Sequence, residues 1–71
     1  MSLEPLRVYP PAIRTSLGAV VNIGNIHWVA LRYVDGKVWL LDSQSRPVAL
    51  TWQSYVLFVR LHLDAYRIEM A

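Results

Sequence analysis

The 71-residue sequence predicts an α+β fold, with an antiparallel sheet of three or four strands and one helix covering a face. Three observations predict it. Asp35-Gly36 separates two apolar-rich runs and supplies the two positive φ angles that a type I′ hairpin turn needs. Apolar side chains recur at helical spacing between residues 52 and 64. Short β-branched or alternating runs, 19 to 23 and 66 to 70, flank these elements.

Residues 1 to 18 read as an extended arm. Pro5, Pro10 and Pro11 exclude regular helix or central strand over most of it, so packing against a partner is the expectation. The remaining unit spans 19 to 71. Ala19 to Ile23 forms a first strand, and Gly24 in the Asn22 to Asn25 stretch marks a turn into the next. The hairpin strands run from 27 to 34 and from 37 to 43. Ser45-Arg46-Pro47 breaks the second, and Thr51 can cap a helix over 52 to 64. Trp52, Tyr55, Val56, Val59 and Leu63 make its core stripe, while Gln53, Ser54, Arg60 and Asp64 lie opposite. Leu57 and Leu61 fall beside the polar face, as a contact for another chain or as further core. Tyr66 to Met70 alternates as a closing strand, with a continued helix as the competing reading.

The hairpin also carries the one chemical signal. If Val34 pairs with Lys37, opposite residues sum to 71, and alternation puts His27, Val29, Leu31 and Tyr33 on one face with Val38, Leu40, Asp42 and Gln44. His27 and Asp42 then become diagonal neighbours at about 7–8 Å between backbone positions, within side-chain reach. A carboxylate bonded to one imidazole nitrogen fixes the tautomer and leaves the other nitrogen to accept a proton from a thiol or hydroxyl. The same spacing also fits a solvated pair at two strand ends. A one-residue bulge would separate the two groups.

Composition narrows the remaining classes. The chain has no cysteine, hence no disulfide, and its two histidines fall in no zinc-binding pattern, so no metal or cofactor is expected. Seven Lys/Arg against five Asp/Glu are scattered singly, which argues against nucleic acid despite a pI near 9.4. No run is long and uncharged enough to span a membrane, and no secretory or organelle signal is read, so an intracellular location is the expectation. Serines 16, 43, 45 and 54 sit in no nucleophile elbow. A 55% hydrophobic composition exceeds the needs of so small a domain. Another chain, or a missing half of the domain, is expected to cover the sheet.

The run AVVNIGNIHWVALRYVDGKVWLLDSQ resembles the second half of a Josephin domain, a papain-like cysteine peptidase fold that acts on ubiquitin. The shared features are a His-Trp pair opening a strand, a Gly turn, a Trp in the next strand and an acid followed by Ser at its end. TWQSYVLFVRLHLDAYRIEM is similar to the helix and final strand that close that domain, so the likeness covers residues 19 to 70. The resemblance implies that His27 is the general base, that Asp42 holds the place of the residue orienting it, and that Trp28 shields the pair. It also implies a nucleophilic Cys on a preceding helical half that this sequence does not include, making that absence a chemical gap and a packing gap together.

Two functions follow. The first is a cysteine-less relative or fragment of such a peptidase, acting as a binding or structural module with a partner chain, a ubiquitin-like protein being one candidate. The alternative is the His/Asp half of a split or truncated deubiquitinating peptidase whose Cys lies elsewhere. The chain's start at Met1 favours the first reading, and a fragment would favour the second.

Overall fold

A computed structural model of the chain describes residues 2–62 and 64–69. In order come β1 (Ser2–Pro5), a 3₁₀ helix (Pro10–Thr15), β2 (Gly18–Ile23), β3 (His27–Val34), β4 (Lys37–Leu41), β5 (Val48–Leu50), α1 (Trp52–Leu61) and β6 (Ala65–Glu69). The strands form a single antiparallel sheet in the order β1-β6-β2-β3-β4-β5. The domain is α+β with six strands and one α-helix.

The β3–β4 hairpin has the register that its turn predicts. Asp35 and Gly36 have φ of 51° and 80°, and Val34 pairs with Lys37, Leu31 with Leu40 and Ala30 with Leu41. Gly24 and Asn25 repeat the device between β2 and β3, with φ of 61° and 59°. Two left-handed residues turn the chain with the twist of the strands it joins.

One face of the sheet is dry. Ala19 and Val21 of β2, Val29 and Leu31 of β3, Val38 of β4 and Ala65 of β6 are buried with Tyr55 and Val59 of α1. Thr51 caps the helix, its hydroxyl oxygen accepting the Ser54 amide at 3.1 Å. Trp52, Val56 and Phe58 pack partly against the core; Leu63, the last residue of the expected stripe, lies outside the described residues. Leu57 and Leu61 face solvent, 61% and 77% exposed.

Three expectations need correction. The sheet has six strands, not three or four. Val48–Leu50 turns back onto β4 immediately after Pro47, in a run too short to display a period of two. Ser2–Pro5 pairs with β6 as an outer strand, where a proline's missing N–H faces no neighbour. Secondly, the residues that follow β1, expected to pack against a partner, pack on this chain's own core. Leu6 and Ile13 are fully buried, and the Tyr55 hydroxyl donates to the Pro10 carbonyl at 2.6 Å. Finally, α1 stops at Leu61 instead of residue 64. His62 is extended, and the Asp64 carbonyl accepts the Asn22 amide at 2.9 Å, so the chain must leave the helix early to seat Ala65 beside Val21. The closing strand is real over Ala65–Glu69, and Met70 lies outside the described residues.

Candidate functional site

His27 opens β3, and Asp42 follows the last residue of β4. The register carries both to the same end of the sheet, on the face that α1 covers. Their side chains meet there, with His27 Nε2 at 3.0 Å from Asp42 Oδ1. Both are partly buried, 28% and 23% exposed.

β4 ends at Leu41, two residues short of the expected Ser43, and the reason belongs to the site. Asp42 Oδ1 also accepts the Gln44 amide at 2.9 Å, and the Asp42 carbonyl accepts the Ser45 amide at 3.1 Å. An aspartate bonding its own backbone two residues on makes a turn, which takes Asp42 out of the ladder and locks its side chain. This amide was missed in the sequence. The turn-forming run Asp42-Ser43-Gln44-Ser45-Arg46-Pro47 carried the signal.

The Gln44 amide holds the Asp42 carboxyl below its ordinary 3.8, and His27 adds to this by hydrogen bond and charge, while partial burial opposes it. At neutral pH the carboxylate only accepts. The neutral imidazole therefore carries its proton on Nε2 and donates to Asp42, which leaves a lone pair on Nδ1. No other hydrogen bond to the His27 ring is formed among the described residues. The arrangement is an imidazole held by a carboxylate, in a sequence without cysteine.

Trp28 projects from the opposite face of the sheet and is 55% exposed. As the chain stands, it does not wall His27 from water; strand alternation forbids adjacent residues from sharing a face. Neither Ser16 nor Ser54 is a nucleophile candidate, since Ser16 bonds the Ile13 carbonyl and Ser54 joins the Thr51 cap. His62, just past the end of α1, sets its ring against Phe58 in a tilted contact with centroids 4.6 Å apart. No group of three or more potential metal ligands occurs among the described residues, and no helix there is long and apolar enough to cross a membrane.

One cleft runs along α1 beside Trp52, Gln53, Val56 and Leu57, and a second is bounded by Glu4, Val8, Tyr9 and Arg67. Neither contains His27 or Asp42. The dyad stands on the helix side of the sheet, whereas Trp28 and Val34 of β3 are exposed on the other face.

No family model, curated protein or solved structure matches this chain.

Proposed function

We propose that this chain supplies the general-base half of a papain-like, Josephin-type thiol peptidase site, acting on a nucleophile that lies outside its 71 residues. The single observation that carries the reading is the 3.0 Å His27–Asp42 contact, held by the Gln44 amide. An imidazole fixed through Nε2 presents Nδ1 as a base of set direction, which is what activation of a thiol requires. In the proposed reaction His27 takes the thiol proton, the thiolate attacks an acyl carbon, and His27⁺ returns the proton to the leaving amine. Asp42 stabilises the imidazolium without becoming protonated. The ubiquitin-like character of the substrate rests on the likeness of residues 19 to 70 to Josephin domains.

A second reading has its own observation. The chain has no cysteine, and Trp28 and Val34 stand exposed on the sheet face away from α1, as expected of a peptidase relative kept for binding. One experiment separates the two: isolation from the native source with whatever polypeptide accompanies these residues, then treatment with a ubiquitin bearing a thiol-reactive C-terminus. Labelling of a cysteine outside residues 1–71 that is lost in His27→Ala supports the peptidase. A stable assembly whose cysteines stay unlabelled supports the binding module.

A further inference from the structure

The sheet ends on β1 and β5, and these two edges are not alike. β1 carries Glu4 and ends in Pro5, an acid and a missing donor that both discourage further pairing. β5 reads Val48-Ala49-Leu50, without charge or proline, and Val48 is 48% exposed. Its open backbone groups follow from the register. The two-residue turn makes Val34 and Lys37 a hydrogen-bonded pair, so Lys37 and Trp39 bond towards β3, while Val38 and Leu40 bond towards β5. Their partners there are Leu50 and Val48. Ala49, between them, therefore turns both its N–H and its carbonyl away from the sheet. The trans peptide planes add two more groups. The Pro47 carbonyl lies opposite the Val48 N–H, and the Thr51 N–H opposite the Leu50 carbonyl, so both also point outward. Neither has a backbone partner among the described residues.

We infer that β5 pairs antiparallel with the β5 of a second copy, about a two-fold axis that passes between the two Ala49 residues. The open groups match themselves in that register. Ala49 and the partner's Ala49 exchange both N–H···O=C bonds, and each Thr51 N–H donates to the Pro47 carbonyl opposite it. The one bond of the regular ladder left unmade would run from a Pro47 N–H to the Thr51 carbonyl. Proline has no such donor, and the Thr51 carbonyl already accepts the Tyr55 amide at 2.9 Å. Every open donor and acceptor is thus used, with none left over. A strand with any residue but proline at that place would bring an N–H against a carbonyl already engaged by α1, which favours a second copy over an unrelated strand. On the helix side, Val48 meets the partner's Leu50, apolar against apolar. An edge of three residues makes a weak contact, formed as concentration rises. This inference stands independently of the chemistry proposed for His27.

The test is sedimentation and amide hydrogen exchange of the full chain from about 10 µM to about 1 mM. The mass should rise towards that of a dimer. The Ala49 and Thr51 amides should gain protection with concentration, while those of Val48 and Leu50, already bonded to β4, change little. Ala49 is exposed, so Ala49→Lys and Ala49→Glu spare the core. Each variant alone sets like charges directly opposite one another across the axis and should associate about fivefold more weakly than the wild type. An equimolar mixture of the two should recover the association as a heterodimer, an effect that fades with salt. A monomer over the whole range would overturn the inference. So would protection gained along Ser2–Pro5 or α1 in place of Ala49 and Thr51, or charge variants that associate as the wild type does.

Discussion

His27 and Asp42 are fifteen residues apart in the chain and 3.0 Å apart in the fold, joined through a carboxylate oxygen that also accepts the Gln44 amide. Two separate local devices produce that contact. The Asp35-Gly36 turn sets the register that brings the strand ends together, and the Asp42 turn aims the carboxylate. Each can be tested alone.

The aim of the carboxylate predicts a tautomer. In the wild type at a pH where His27 is neutral, imidazole ¹⁵N shifts should report a proton on Nε2 and a bare Nδ1. In Asp42→Ala that preference should collapse toward the mixture of a free imidazole. Identical spectra for the two proteins would remove the dyad.

Acid stability should carry the signature of Asp42. Its carboxyl is held below 3.8 in the folded state, chiefly by the Gln44 amide, so ionisation favours folding. That contribution is complete well above 3.8, begins to fall as the pH drops past it, and is gone below the depressed folded value. Denaturation of wild type and Asp42→Asn from pH 6 to pH 2 should show a gap that narrows on acidification. A gap that stays constant would assign the effect to packing.

Gly36 tests the turn. An added Cβ meets nothing within 4 Å, so Gly36→Ala exposes only the cost of a left-handed φ of 80° in a residue with a side chain. That cost is about 1–2 kcal/mol. Urea denaturation should show it, and the His27–Asp42 tautomer signal should persist in the folded variant if the register is retained.

Tyr55 joins the N-terminal segment to the helix. It is fully buried, its hydroxyl donates to the Pro10 carbonyl, and burial raises its pKa well above that of an ordinary phenol. Tyr55→Phe should cost about 1–3 kcal/mol by stranding a buried carbonyl, and Tyr55→Ala about 3–5 kcal/mol by opening a cavity. Thermal unfolding measures both. A neutral Tyr55→Phe would mean that water replaces the hydroxyl.

Much of the hairpin and helix is written locally. Asp35-Gly36 dictates its turn because few other dipeptides adopt two positive φ angles cheaply, and the period of two then assigns every side chain from His27 to Asp42 to a face. Thr51 announces the helix start because its hydroxyl satisfies an amide that the helix itself cannot. The register alone also predicted the proximity of His27 and Asp42.

Whatever depends on neighbours within a turn or one hairpin is therefore legible before folding: the α+β class, β3 and β4, the cap of α1 and the diagonal of the dyad. Tertiary structure decided the rest. Val48–Leu50 and Ser2–Pro5 are too short to declare themselves, and become strands only because β4 and β6 offer unpaired edges. α1 ends early because Ala65 must reach Val21. The sheet also separates His27 from Trp28, putting the imidazole on the side that α1 covers and the tryptophan on the other face, exposed. Such placements are set by pairing and burial between distant segments, whose free energy appears only once the chain has closed on itself.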